Sequence, residues 1–386
     1  MTELNIALLG SKFMGKIHSN AWAQAPRFFD LEITPVMHTV AARDAAVLEQ
    51  FRARWGWQHA TTDVPALLAD PAIGLVDIGT PNDAHRDAAV AALEAGKHVA
   101  CEKPLAGTLA DARAMAAAAQ GASGRTFVWF SYRRVPAIAL AHLLVAQGRL
   151  GAIRQVRAAY LQDWLADPEA PLSWRLDKQR AGSGALGDIG AHIVDLVQFN
   201  TAQRLTGVSA LLETFVHERP VAAEFSGLHG RGGEGRGPVT VDDAAVFTAR
   251  LSGGGIGVFE ATRYAWGRKN AIRLEINGTT GSIAFDFEDM NVLNFYDATQ
   301  DAVEAGFRRI VVTEPGHPYI AAWWPAGHGL GYEHAFTHQV VDLVGSIAAG
   351  RQPEPSFADG LQVQRVLGAV ERSALADSVW TAVPDS

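Results

Sequence analysis

Short apolar runs alternate with helix-period segments along the first third of the chain. Asn5–Gly10 reads as a strand and Met14–Ala25 as a helix. A strand at Met37–Arg43 and a helix at Asp44–Trp55, with apolar Val47, Leu48 and Phe51, come next. Leu75–Thr80 (LVDIGT), His98–Lys103 and Thr126–Tyr132 continue the strands, with helices at Ala84–Ala95 and Leu109–Ala119 between them. Continuous apolar strands separated by helices of about 10–15 residues predict βαβ units and a parallel sheet covered on both faces.

The pattern then changes. After a helix at Pro136–Gln147, Ile153–Trp164 alternates as a half-buried strand, and Ala185–Thr201 is helical. Strand-like stretches follow at Val208–Phe215, Ala244–Leu251, Ile256–Tyr264, Ala271–Ile276, Ser282–Phe287 and Arg309–Thr313, with turn chemistry at Asn277-Gly278 and Thr280-Gly281. Strands without intervening helices predict an antiparallel sheet. Helices near Glu333–Ala349 and Ala358–Ala376 close the chain, joined by a loop at 350–355. His217–Val239, rich in Gly, Arg and Pro, has no periodicity and reads as a mobile surface loop, with a lid or a subunit arm as alternatives. The expected architecture is an α/β Rossmann domain over 1–134 and an α+β domain with a large open, mostly antiparallel sheet over 135–386.

Composition narrows the function. At roughly 150 residues per domain, 386 residues suit two domains. With 48% hydrophobic and 19% charged residues the chain can bury a substantial core, which excludes disorder as the main state. A net charge of -8 argues against a nucleic-acid partner, which needs basic stripes. No run of 18 apolar residues predicts a membrane span, and Met1-Thr-Glu-Leu-Asn lacks a signal-peptide pattern, so a soluble cytoplasmic protein is expected. Cys101 is the single cysteine, which excludes an intrachain disulfide or a cysteine-built metal site.

Candidate chemistry sits at the strand ends. Gly10-Ser11-Lys12-Phe13-Met14-Gly15 follows the first strand and opens a helix, as a dinucleotide-binding turn does; Lys12 stands where a middle glycine is usual and adds positive charge near phosphates. The second strand ends Val40-Ala41-Ala42-Arg43-Asp44, with no acid at the ribose position. Arg43 there can clamp a 2′-phosphate, so NADP is favoured over NAD; alternatively Asp44 slips one turn and serves the ribose. Thr80, Asn82 and His85 lie at the carboxyl end of a strand, bordering a cofactor or simply capping a helix. Glu102, Lys103 and Pro104 follow the next strand, where a lysine is hard to explain structurally; a charged group there faces the nicotinamide, and Glu102 is expected to touch the cofactor. Asp188 and His192, spaced i, i+4 behind a glycine-rich entry, share a helix face with Asp195 one turn on; such a pair is otherwise a structural hydrogen bond.

The glycine turn, Thr80-Pro-Asn82, Glu102-Lys-Pro104 and Asp188-x-Gly-x-His192, in that order over essentially the whole chain, resemble the Gfo/Idh/MocA family of glucose–fructose oxidoreductase, inositol dehydrogenases and related sugar dehydrogenases. Tyr160-Leu-Gln-Asp-Trp164, Pro171-Leu-Ser-Trp-Arg175, Glu260-Ala-Thr-Arg263 and Gly329-Leu-Gly-Tyr332 look like its branch that oxidises the C3 hydroxyl of anhydrosugars and glycosides. Lys12 and Ala42 depart from that branch.

The resemblance implies oxidation of a secondary pyranose hydroxyl. Lys103 would bond the reacting oxygen and His192 accept its proton, with Asp188 orienting the imidazole. Oxidation would then rise through the ordinary histidine range, roughly pH 6–7. Arg133, Gln162, Trp174 and Tyr332 are expected to bind the sugar, and a homodimer or homotetramer through the C-terminal sheet is implied. His334 and His338 form a possible metal pair with no third ligand, so no metal site is expected. Alternatives are an inositol dehydrogenase, a glycosidase working by oxidation and elimination with tightly held NAD, and a non-catalytic cofactor-binding regulator, for which Lys103 and His192 would have no use.

Overall fold

The computed structural model describes residues 2–226 and 229–384. The chain divides into two compact units, residues 2–131 with 331–362 and residues 132–330 with 363–384. The first unit thus draws a helix from near the chain's end, where a division of the sequence at 134/135 is contiguous.

In the first unit the strands are β1 (Thr2–Leu9), β2 (Ile33–Ala41), β3 (His59–Thr61), β4 (Leu75–Ile78), β5 (His98–Cys101) and β6 (Thr126–Val128). Helices α1 (Phe13–Phe28), α2 (Ala45–Trp55), α3 (Val64–Ala69), α4 (His85–Glu94) and α5 (Leu109–Gly121) connect them. The sheet order β3-β2-β1-β4-β5-β6 is parallel throughout. This is the expected doubly wound fold, with strand order reversing between β1 and β4. Its central strands β4 and β5 and the adjoining β6 are buried on both faces, and Ile6, Leu8, Leu75 and Ala100 join a core that Trp22, Phe336 and Val340 complete. The short β3 carries too few residues to show a period.

The second unit begins with α6 (Pro136–Ala146), β7 (Ile153–Leu161), the single-turn α7 (Lys178–Ala181) and α8 (Ala191–Thr201). Then come β8 (Leu205–Glu213), β9 (Glu218–Ser226), β10 (His229–Pro238), β11 (Ala244–Leu251), β12 (Ile256–Thr262), β13 (Ala271–Gly278), β14 (Gly281–Asp286), β15 (Val292–Asp297) and β16 (Arg308–Val311). Helix α9 (Tyr332–Ala348) belongs to the first unit, and α10 (Phe357–Leu375) and β17 (Thr381–Ala382) follow. Nine strands form one sheet in the order β16-β15-β14-β13-β7-β12-β11-β8-β17. Every pairing is antiparallel except β7 with β12. Alternate residues of β11, β12 and β14 are buried, as a sheet with one covered face requires. The opposite face exposes Leu211, Val246, Ile256 and Val258.

One expectation is corrected here. Most of His217–Val239 forms a separate two-stranded antiparallel ribbon, β9 with β10, not an irregular loop; residues 227 and 228 lie outside the described residues.

Candidate active site

The glycine turn has the geometry of an anion cradle. The Gly10 amide donates to Ala41 O (2.8 Å) and the Gly79 amide to Leu9 O (2.9 Å), which brings the ends of β1, β2 and β4 together. Gly10 has φ +113°, and a Cβ there would stand 2.7 Å from the Gly79 carbonyl oxygen, so a side chain fits neither the backbone nor the space. Lys12 occupies the N-cap of α1 without a capping side-chain bond, and no acid lies in the first turn. The first amides of a sixteen-residue helix therefore carry their positive dipole end uncompensated, which fits a dinucleotide's pyrophosphate. Lys12 and Phe13 are exposed beside it and Met14 is half-buried.

Arg43 is exposed at the end of β2. Asp44 Oδ1 accepts from the amides of Ala46 (3.1 Å) and Val47 (3.2 Å) and so makes this residue the N-cap of α2. Thr80 and Asn82 are half-buried in the loop after β4. His85 is corrected from a cofactor neighbour to a structural clasp. It is wholly buried, with Nε2 3.0 Å from Thr80 O and Nδ1 3.2 Å from Leu105 O, and burial lowers its pKa against the pull of those carbonyls.

Lys103 is half-buried just past β5, where the Glu102 amide donates to Ile78 O (2.9 Å). Glu102, expected to touch the cofactor, is turned inward. Its Oε1 lies 3.0 Å from His18 Nε2 and its Oε2 accepts the Lys103 amide (3.1 Å). His18 Nδ1 in turn lies 2.9 Å from Asp77 Oδ1, and Asp77 also accepts from the indoles of Trp22 (2.8 Å) and Trp129 (2.9 Å). Burial alone would lower the His18 pKa, but Asp77 and then Glu102 reverse this and raise it to about 10.

The second unit holds the other half of the expected chemistry. Asp242, buried, accepts from the amides of Gly184 and Leu186 (both 2.7 Å) and fixes the glycine-rich entry; Gly184 leaves no room for a side chain against the Asp242 carbonyl. Leu186–Gly190 is a π-turn that runs into α8, so the Asp188–His192 stretch does not follow the uniform helical period that the spacing assumes. Asp188, a quarter exposed, has Oδ2 3.5 Å from Nη1 of the buried Arg263. His192 is buried, with the Tyr132 ring edge-on at 4.7 Å and Tyr160 at 5.9 Å.

The two tyrosines belong to a polar chain. Their hydroxyls are 2.6 Å apart, Tyr160 donates to Asn270 Oδ1 (2.6 Å), Gln162 Nε2 donates to Asn270 Oδ1 (3.0 Å), and Trp164 Nε1 donates to Gln162 Oε1 (3.0 Å). Gln162 is thus linked through Asn270 to His192's tyrosine neighbours. The pKa of Asp163 next to it is lowered by the hydrogen bond from the Lys269 ammonium at 2.7 Å.

Other expectations divide. Arg133 is corrected: its guanidinium grips Asp195 through Nε (2.8 Å) and Nη2 (2.5 Å) and lies over Phe199, buried in the unit's interior and not presented to a sugar. Trp174 is half-buried in a single turn of helix with Arg175 over its ring at 4.6 Å. Tyr332 opens α9 in the first unit and packs on Phe336. His334 accepts the Gly331 amide at Nδ1 (3.0 Å), and the His338 ring lies edge-on to Phe29 at 5.9 Å. His18, Asp77 and Asn270 were not singled out from the sequence, and Arg263 only as part of a motif. The available signal was a carboxylate in the middle of the apolar run Leu75-Val-Asp77-Ile-Gly79, which demands buried donors.

Comparison with known proteins completes the assignment. Residues 4–130 match an oxidoreductase-family model described as an NAD-binding Rossmann fold, and residues 138–284 match the GFO/IDH/MocA C-terminal domain. The chain is 43% identical to levoglucosan dehydrogenase from Pseudarthrobacter phenanthrenivorans, with 100% of this chain and 99% of that protein covered. Among solved structures, an oxidoreductase domain protein from Kribbella flavida superposes with a TM-score of 0.95 at 62% identity, and levoglucosan dehydrogenase in complex with NADH and levoglucosan with 0.94 at 41%. Both cover the whole of each chain. Among the described residues no helix is long and apolar enough to cross a membrane. The chain is an NAD-binding oxidoreductase of the Gfo/Idh/MocA family.

Proposed function

We propose that the protein oxidises a secondary hydroxyl, the C3 hydroxyl of a pyranose anhydrosugar or glycoside, to the ketone. The observation that carries this reading is full-length similarity to levoglucosan dehydrogenase joined to a half-buried lysine past β5 and a buried histidine between tyrosines. A nicotinamide cofactor whose pyrophosphate is held at the glycine turn would supply the hydride acceptor. Lys103 donates a hydrogen bond to the reacting oxygen and stabilises the charge that develops there. His192 takes the hydroxyl proton, and Asp188, itself steadied by Arg263, orients the imidazole and balances its charge. Gln162, Trp174 and Tyr332 contact the sugar's remaining hydroxyls and its apolar face.

The cofactor we favour is NADP. Ala42 offers no carboxylate, Asp44 is committed to its helix, and Arg43 and Lys12 are exposed cations near the phosphates. The apolar open face of the nine-stranded sheet supports a homodimer or homotetramer formed through it.

A panel of anhydrosugars, free hexoses, glycosides and inositols, each with NAD and NADP, tests the reading. Stoichiometric accumulation of reduced nicotinamide with an anhydrosugar or glycoside is the expected result. Cleavage of a glycoside without net reduction would instead indicate oxidation–elimination. Preference for inositols would overturn the sugar assignment.

A further inference from the structure

The first unit carries a buried ionic array that the proposed reaction does not use. His18 on α1 is 1% exposed, Asp77 on β4 is inaccessible and Glu102 past β5 is 4% exposed. The imidazole spans the two carboxylates at 2.9 and 3.0 Å, and Trp22 and Trp129 donate their indole N–H groups to Asp77. Trp129 and Phe336 wall the ring at 4.7 and 5.8 Å. The array therefore encloses three ionisable side chains inside the unit. Burying such a group is costly, and apolar residues of the same volume usually stabilise a core at least as well. Stability is therefore a poor reason for its presence.

The array has a definite outlet. Glu102 Oε2 accepts the backbone amide of Lys103, so the charge that fixes Glu102 also fixes the peptide from which the Lys103 side chain departs. Asp77 is anchored by two indoles, His18 is anchored by Asp77, and Glu102 is anchored by His18. Each bond is charge-assisted or buried, and each removes one freedom from the next group.

We propose that Asp77, His18 and Glu102 are positioning residues for Lys103, a fixed charged strut that aims its ammonium. The proposal rests on the role given to Lys103 above. A misplacement of about 1 Å at a reacting group costs on the order of 10² in rate, so such a strut acts on kcat more than on binding.

The test compares Glu102→Ala, Glu102→Gln, His18→Gln and Lys103→Ala as full-length proteins. Readouts are kcat, sugar KM, cofactor affinity by fluorescence titration, and the acylation rate of Lys103 in cofactor-free protein by peptide mass spectrometry. Exposed Lys16 is the internal reference for acylation. Glu102→Ala and His18→Gln are expected to lower kcat about 10–100-fold while sugar KM and cofactor affinity stay within about threefold. Lys103 acylation should shift severalfold relative to Lys16. Glu102→Gln, which keeps an acceptor for the Lys103 amide, should recover much of the loss; it also carries the test with His18→Gln where Glu102→Ala fails to fold. Wild-type kcat and wild-type Lys103 acylation in folded Glu102 and His18 variants would overturn the proposal. Wild-type turnover by Lys103→Ala would instead overturn the reading of the reaction, and the acylation comparison would still decide whether the array aims the side chain.

Discussion

His18 shows how a single side chain ties chemistry to stability. Its pKa stands near 10 in the folded chain against an ordinary 6.5, so folding favours its protonated form. That contribution is complete below about pH 6.5, shrinks as pH rises, and is gone once pH passes about 10. Cys101, whose thiol is pushed up by burial and then by Glu102 and Asp77, adds a loss of the same sign. In a Cys101→Ala background, the urea midpoint should therefore fall more steeply between pH 7 and 10 with His18 than with His18→Gln. Equal slopes would show that the imidazolium is not stabilised by folding. At the sugar, Lys103→Ala and His192→Ala should each lose about 10²–10⁴ in turnover, measured as reduced nicotinamide formed. At the adenosine end, Arg43→Ala should raise the KM for NADP about tenfold or more and leave that for NAD nearly unchanged, as loss of a bidentate phosphate contact does. An equal effect on both would remove the case for NADP.

Such residues were unequally legible in the sequence. Lys103, His192 and Gln162 stand out as candidates in the sequence because each is a charged or polar group at a strand end or beside glycines. Arg133 misleads for the converse reason. Its position after a strand resembles a binding group, and only the fold reveals Asp195 as its bidentate partner. Glu102 and His85 fail similarly, because a polar side chain at a site's edge can point inward, and spacing alone does not give its direction.

Elements follow the sequence wherever periodicity is strong. The parallel strands β1, β4 and β5 and helices α1, α2, α4 and α5 lie close to their expected positions because apolar runs and helical periods coincide with burial. The ribbon β9–β10 was hidden, since its strands do not alternate and its ladder is backbone bonding between Gly-, Arg- and Pro-rich segments. Outside the ladder it is tied down by Arg236 bonding Glu169 (3.0 Å) and by Leu172 donating its amide to Pro220 O (2.7 Å). The π-turn at Leu186–Gly190 was equally hidden, because π geometry carries no residue signature of its own. At this scale the cap of α2 offers a clean check. Asp44→Ala removes the acceptor for two amides and should cost about 1 kcal/mol in urea unfolding, with NADP kinetics little changed. A large rise in cofactor KM would restore Asp44 as a ribose ligand.

The whole molecule joins a dinucleotide-binding unit to a unit built on one wide sheet. Cross-strand neighbours Leu211 and Val246, with Ile256 and Val258, form an apolar stripe on the sheet's open face. Val258→Glu should therefore shift the sedimentation profile towards monomer while leaving the near-ultraviolet signature of the core intact. An unchanged profile would mean that association, if present, uses another surface. The central claim is that Lys103 and His192 serve one sugar oxygen, and a ternary crystal structure with oxidised cofactor and an anhydrosugar tests it most directly. The expected result is Lys103 Nζ and a ring nitrogen of His192 each within about 3.2 Å of the same hydroxyl oxygen. A bound, turnover-competent sugar whose reacting oxygen meets neither nitrogen would contradict it.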